Sequence, residues 1–261
     1  MVMNAIGIIP ARMASSRFPG KPLAQIHGIP MIGHVYFRSR MSRALEEVYI
    51  ATCDEEIRRY AEHIGAKCVM TAATHERASD RAAEAMLKVE AQTGRKVEIV
   101  VMIQGDEPMV HPEMIDLAIT PFTDNTSINV VNLMARMERT EEFEDPNEVK
   151  VVVDLHGDAL YFSREPVPSR KKGVSKVPML KQVCIIPFRR DYLLRFNSLP
   201  PTPLEIIESV DMMRILEHSE KIRMLMTNAR SLSVDTPADL ARVVKMMRGD
   251  PLMSDYAAKA S

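Results

Sequence analysis
The run Ile99-Val100-Val101-Met102-Ile103 contains no polar residue. Successive side chains of a strand point to opposite faces, so a strand with no polar face must be covered on both sides. A parallel sheet with helices on either face meets that demand. Further apolar, β-branched runs repeat the pattern, and predict strands at Ala5–Ile9, Val48–Thr52, Lys67–Met70, Ile99–Ile103, Ile128–Leu133, Val149–Val153, Leu160–Phe162, Val183–Pro187 and Ile222–Met226. The amphipathic stretches between them predict helices over Met31–Arg43, Asp54–Ile64, Ser79–Gln92, Pro112–Ile119, Pro203–His218 and Pro237–Met247. Alternation of this kind belongs to the α/β class, here a Rossmann-like, doubly wound and mostly parallel sheet.

Two helix starts are sharply marked. Thr202-Pro203-Leu204-Glu205 has a capping Thr, Pro at the first helical position and Glu three residues after the cap. Thr236-Pro237-Ala238-Asp239 repeats the layout with Asp. The stretch from Val149 to Phe188 breaks the alternation with three strand candidates and a basic, Pro-containing loop, Pro166–Pro178. It reads as an inserted, β-rich excursion suited to an oligomer interface. No linker divides the chain and no repeat is present. The last stretch, 249–261, is expected to be a frayed, flexible tail.

Composition narrows the classes. A chain of 261 residues with formal charge −1 has room for a sizeable core and lacks the basic excess of a nucleic-acid binder. No apolar stretch approaches the roughly 18 residues that span a bilayer, and the first residues lack a signal-peptide layout. Cys53, Cys68 and Cys184 fit no zinc spacing, and read as reduced thiols of a cytoplasmic protein.

Ligands of open α/β sheets bind beyond the carboxyl ends of the strands. Pro10-Ala11-Arg12-Met13-Ala14-Ser15-Ser16-Arg17-Phe18-Pro19-Gly20-Lys21-Pro22 leaves the first strand with three cations and a glycine, a composition that suits phosphate. It is neither a Walker A loop nor a G-x-G-x-x-G turn. Gln104-Gly105-Asp106-Glu107-Pro108 puts a carboxylate at the end of the apolar strand, and Val234-Asp235-Thr236-Pro237 puts another before a capped helix. Mg²⁺ binds through one or two carboxylates plus substrate phosphates, so Asp106, Asp235 and the cationic loop form a consistent metal–triphosphate set. His75-Glu76-Arg77-Ala78-Ser79-Asp80-Arg81 is polar and opens a helix.

These segments, with Pro146-Asn147-Glu148-Val149-Lys150-Val151-Val152, Ala159-Leu160-Tyr161-Phe162-Ser163-Arg164 and Leu204-Glu205…Glu208…Arg214, resemble the motifs of the 3-deoxy-manno-octulosonate cytidylyltransferase (CMP-Kdo synthetase) family in order and spacing from Ile9 to Pro237. The resemblance implies a nucleotidyltransferase fold, with a single cytidylyltransferase domain over 1–248 and a dimerisation segment around 149–188. It implies Mg²⁺-dependent transfer of CMP from CTP to the anomeric hydroxyl of a 2-keto-3-deoxy acid sugar, by a homodimer serving lipopolysaccharide biosynthesis. Arg12, Lys21, Asp106 and Asp235 would carry catalysis, with Asp106 and Asp235 on the metal. Pro10, Ala11, Arg12, Arg17, Lys21, Ser79, Arg81 and Gln104 would bind the nucleotide. Gln104, Tyr161, Arg164, Gln182, Glu208, Asp211 and Met212 would bind the sugar.

The chain departs from the family pattern in three places. Gln182-Val183-Cys184-Ile185-Ile186-Pro187-Phe188 stands where the family has His-Leu-Gly-Ile-Tyr-x-Tyr. Asp211-Met212 replaces a Glu-Gln pair, and Arg77-Ala78-Ser79 replaces Ser-Gly-Thr. A pocket built to hydrogen-bond a hydroxyl discriminates strongly, so the first two changes bear on the acceptor. A nonulosonic acid or a phosphonate is the alternative acceptor, and a non-catalytic nucleotide-sugar binding protein is the alternative class.

Overall fold
A computed structural model describes residues 3–14, 17–174, 176–229 and 231–260. Ser15 and Ser16 of the opening loop lie outside the described residues. Twelve strands are present among them: β1 (Ala5–Ala11), β2 (Gln25–Ile26), β3 (Ile29–Pro30), β4 (Glu47–Thr52), β5 (Lys67–Met70), β6 (Ile99–Ile103), β7 (Val131–Arg136), β8 (Lys150–Val153), β9 (Ala159–Ser163), β10 (Leu180–Val183), β11 (Ile185–Arg189) and β12 (Arg223–Met226).

The main sheet has the order β11-β6-β1-β4-β5. β1 is parallel to both β4 and β6, β4 is parallel to β5, and only β11 runs antiparallel. Both faces are covered, as the all-apolar β6 requires. Ile6 and Ile8 of β1 pack with Ala82, Met86 and Val89 of helix Ala78–Thr93. Ala5, Ile9 and Ala11 point the other way, into a cluster holding Ile32, Ile57 and Ile115 from three helices on the opposite face. The carboxyl ends of β1 and β6 therefore lie side by side, and their following loops meet. Gly105 permits this approach: a Cβ there would sit 3.0 Å from the Pro10 carbonyl oxygen.

A second sheet has the order β12-β7-β10-β8-β9. From the stretch 149–188 it takes β8, β9 and β10, which pair antiparallel, while β11 of that stretch joins the main sheet and β12 pairs parallel with β7. The single strand expected over Val183–Pro187 is two, because Cys184 is where the chain passes from one sheet to the other. At the other end of β11 the Arg189 N–H donates to the Asn129 carbonyl at 2.8 Å, just before β7 of the second sheet.

The helix expected over Pro203–His218 is also two, Pro203–Glu208 and Met213–Glu217, separated by Ser209 in the left-handed region at φ 52°. In an unbroken helix Glu205 and Arg214 would lie about 13.5 Å apart along the axis, on opposite faces. The break folds them together. Arg214 Nε donates to Glu205 Oε2 at 2.7 Å, with both side chains buried. The second expected capping box forms, with the Asp239 N–H donating to Thr236 Oγ1 at 3.2 Å, whereas the first is half made: the Thr202 N–H donates to Glu205 Oε2 at 3.2 Å, and the Glu205 N–H goes to Glu217 instead of the Thr202 hydroxyl. The helix Arg190–Ser198 was not foreseen, since it follows β11 with no turn residue to announce it.

The segment read as a frayed tail is packed. Tyr256 is 2% exposed and stacks on Phe37 at 5.5 Å between ring centroids. Arg38 Nε donates to the Tyr256 hydroxyl at 3.0 Å, which is 2.7 Å from His34 Nδ1, while His34 Nε2 donates to the Ile26 carbonyl at 2.9 Å. This chain of bonds uses a neutral imidazole, and burial holds His34 at about 4 instead of 6.5. Between those values the unfolded chain binds a proton that the native one refuses, so stability falls as pH drops from about 6.5 towards 4. The full effect is roughly 3 kcal/mol. Thermal melts between pH 7 and 4 are expected to show this slope flattened in His34→Gln; equal slopes in both proteins would exclude His34 as its source.

Candidate active site
The opening loop folds back on itself through the Gly20 N–H, which donates to the Met13 carbonyl at 3.0 Å with Gly20 at φ +74°. That turn aims Lys21 across the mouth of the main sheet. Lys21 Nζ lies 2.5 Å from Asp106 Oδ2 and 3.4 Å from Asp235 Oδ1, and also donates to the Val234 carbonyl at 3.2 Å. Arg17 donates to Asp235 Oδ1 and to Asn147 Oδ1, both at 2.8 Å. The Val234 N–H donates to the Asp106 carbonyl at 2.9 Å, which draws the two carboxylate-bearing segments together. Asp235, 214 positions from Lys21 and 129 from Asp106 along the chain, thus meets both at one point in space.

Two cavities meet at this point. The first, of about 320 Å³, is lined by Pro10, Ala11, Arg12, Arg17 and Lys21 on one side, with Gln104, Asp106 and Asp235 at its floor. His75, Arg77 and Arg81 also line it. Arg12 makes no ion pair among the described residues, so its guanidinium is available to an anion. Arg81 is 2% exposed and donates to the Thr71 hydroxyl through one terminal nitrogen, leaving the other with no partner. An unpaired buried donor is costly, and a ligand acceptor atom in the cavity would satisfy it. The Ser79 hydroxyl is buried behind the wall and does not line the cavity.

The second cavity, of about 270 Å³, shares Arg17, Gln104, Asp106 and Asp235 with the first. Arg164, Lys181 and Gln182 form its far wall. Of the residues assigned to the sugar, Gln104, Arg164 and Gln182 line this cavity, and Tyr161, Glu208, Asp211 and Met212 do not. Met212 is 1% exposed and packs into the core between the sheets, as an apolar side chain should. Glu208 acts one layer back. It accepts from Tyr161 Oη at 3.1 Å, Ser163 Oγ at 3.2 Å and the Arg164 N–H at 2.8 Å. Asp211 lines neither cavity, and burial pushes its carboxyl pKa up, against the pull of Arg77. Gln182 donates to Asn132 Oδ1 at 2.5 Å.

Several residues here went unassigned in the sequence. Arg77 reaches from the first cavity to Glu205 at 3.0 Å. Glu107, whose carboxyl is raised by burial, accepts from Ser231 Oγ at 2.8 Å and from the Cys184 N–H at 3.1 Å, tying three loops together. Asn147, Glu148 and Lys181 complete the second cavity. Asn147 and Glu148 lie within a quoted motif, and Lys181 precedes Gln182 at the main departure, so position alone marked them.

A parallel-sheet mouth with a cationic loop facing two carboxylates has the charges that nucleotidyl transfer uses. A cytidylyltransferase family model matches residues 6–222, and the chain belongs to that family. It is 42% identical to a 3-deoxy-manno-octulosonate cytidylyltransferase of Geobacter metallireducens over 255 residues, 94% of this chain and 98% of that protein. The same-named protein of Solibacter usitatus is 41% identical, over 97% of this chain and 98% of its own. A solved CMP:2-keto-3-deoxy-manno-octonic acid synthetase complexed with CTP is 38% identical with TM-score 0.87, covering 95% of this chain and 99% of that one. A 4-diphosphocytidyl-2C-methyl-D-erythritol synthase from Anaerococcus prevotii, 12% identical with TM-score 0.62, shares the fold.

Proposed function
We propose that this chain transfers CMP from CTP to the anomeric hydroxyl of a 2-keto-3-deoxy acid sugar, 3-deoxy-manno-octulosonate, and releases pyrophosphate. The observation that carries it is the convergence of Lys21, Asp106 and Asp235 where the two cavities join. CTP fits the first cavity and the acid sugar the second, so the α-phosphate and the attacking oxygen would meet at the junction. The new bond joins the anomeric oxygen to the α-phosphorus, the bond to the β-phosphate oxygen breaks, and the hydroxyl proton passes to solvent.

Asp106 and Asp235 fit Mg²⁺. Their oxygens already share one cation, the Lys21 ammonium. Two carboxylates completed by water and phosphate oxygens are the set this ion accepts. Mg²⁺ bound there would neutralise phosphate charge and lower the pKa of the sugar hydroxyl. The chain's own part is to place charge. Arg12 and Arg17 receive the triphosphate from the solvent side. Lys21, drawn towards phosphate, faces the charge that grows in the transition state. Held reactants in line supply much of the remaining acceleration.

Met212 in the core and Gln182 tied to Asn132 leave fewer free polar groups around the acceptor, which favours keeping nonulosonic acids and phosphonates in the assay as a second reading. Pyrophosphate release from CTP and Mg²⁺ with each acid is expected to be fastest with 3-deoxy-manno-octulosonate. Release with another acid alone would replace the acceptor. CTP binding with no release for any acid would leave a binding protein. The same reading includes a homodimer formed through 149–188 and a cytoplasmic location where CTP is made; no helix among the described residues is long and apolar enough to cross a membrane.

A further inference from the structure
The acceptor is an acid, and its carboxylate needs a cation in the second cavity. Three line it: Arg17, Arg164 and Lys181. Arg164 is committed elsewhere. Its guanidinium donates to the backbone carbonyls of Glu208 at 2.7 Å, Pro146 at 2.8 Å and Ser209 at 3.1 Å. Arg17 is committed to Asp235 and Asn147 on the phosphate side. Lys181 is different. Its ammonium has three donors and a single ion-pair partner, Glu148 at 3.1 Å, in the same wall. Its side chain is 12% exposed, so a bond made there is shielded from water.

Lys181 also stands at a boundary. A third cavity of about 480 Å³ lies on its other side, sharing Lys181 and Ser231 with the acceptor cavity and lined by Arg136, Arg139 and Arg242. Arg139 and Arg242 face Glu142 and Asp239, whereas Arg136 makes no ion pair among the described residues. Glu138 and Glu142 also line it, so its four cations, Lys181 included, outnumber its two carboxylates, and an acid approaching from that side meets Lys181 where the two cavities join.

We propose that Lys181 is the acceptor-specificity residue, receiving the carboxylate of the acid sugar at the junction of the inner and outer cavities. This rests on the second cavity being the acceptor's. Gln182, beside it in β10, has its amide turned to Asn132, which leaves the ammonium as the donor aimed at the acid.

The test compares two probes, 3-deoxy-manno-octulosonate and its C1 amide, by equilibrium binding to the CTP-loaded chain and by pyrophosphate release. Lys181→Met is expected to weaken binding of the acid about 10- to 100-fold, the range of a hydrogen bond to a charged group. The amide should bind wild type and variant within about threefold of each other, because it carries no charge for Lys181 to pair. Lys181→Arg should restore most of the acid's affinity, and the KM for CTP should move less than that for the acid. Equal losses for acid and amide would make Lys181 a merely structural residue and overturn the assignment, as would a wild-type chain that binds no acid. A chain that binds the acid through Lys181 but releases no pyrophosphate would keep the assignment and overturn the proposed reaction.

Discussion

Asp106→Asn is expected to lower kcat for CTP-dependent pyrophosphate release by about 10³-fold or more. The variant keeps the shape of the carboxylate but removes one of two negative charges that fit Mg²⁺. Metal stabilisation of a transferring phosphoryl group amounts to several kcal/mol, and each 1.36 kcal/mol is about tenfold in rate. Stability should change little. The Asp106 side chain is 25% exposed, and partly exposed pairs such as that with Lys21 contribute about 1 kcal/mol or less. Loss of rate with an unchanged melting curve therefore separates chemistry from folding. Asp235→Asn should fall in the same direction, since Lys21 and Arg17 hold both carboxylates at one place. Full activity in Asp106→Asn would remove the metal from that carboxylate.

Asp250→Ala, far from the chemistry, carries the largest expected cost in stability. Arg38 is fully buried in helix Met31–Arg40, and its charge is met by Asp250 Oδ2 at 2.5 Å, with the Tyr256 hydroxyl at 3.0 Å beside it. Both partners come from the segment after Arg248. Removing one member of a buried pair leaves an uncompensated charge, at a cost of about 3–5 kcal/mol. For a chain of this size that is roughly 10 °C in Tm, read by calorimetry. Pairing the change with Arg38→Met should recover much of the loss, because the unmet charge is then gone. A fall of less than about 2 °C in Asp250→Ala would show that the segment does not clamp Arg38.

These two cases divide differently between sequence and structure. Asp106 was legible because its motif is contiguous and follows a strand whose periodicity is unmistakable. The tail was misread because its evidence is distributed. Tyr256 and Asp250 are polar-looking residues among short, weak helices, and their value lies in a buried arginine more than 200 positions away. The same holds for the broken helix. Local propensity over Pro203–His218 favours continuity, and distant partners oppose it: the Glu205–Arg214 pair forms across the turn at Ser209, and Arg164 donates to the Glu208 and Ser209 carbonyls.

The nucleotide half of the site was written in the sequence. Its strands β1 and β6 are fully apolar, its cations cluster in one loop, and its carboxylates stand at a strand end (Asp106) and before a capped helix (Asp235), so local rules suffice. The acceptor half was decided by tertiary structure. Its wall is gathered from Asn147, Glu148, Arg164, Lys181 and Gln182 on separate segments, and packing sets which side chains face inward. Met212 turns to the core, Arg164 and Gln182 turn to other protein groups, and Lys181 is left in the cavity wall with Glu148 as its ion-pair partner. Side-chain direction depends on competing partners across the fold, and no local periodicity encodes it.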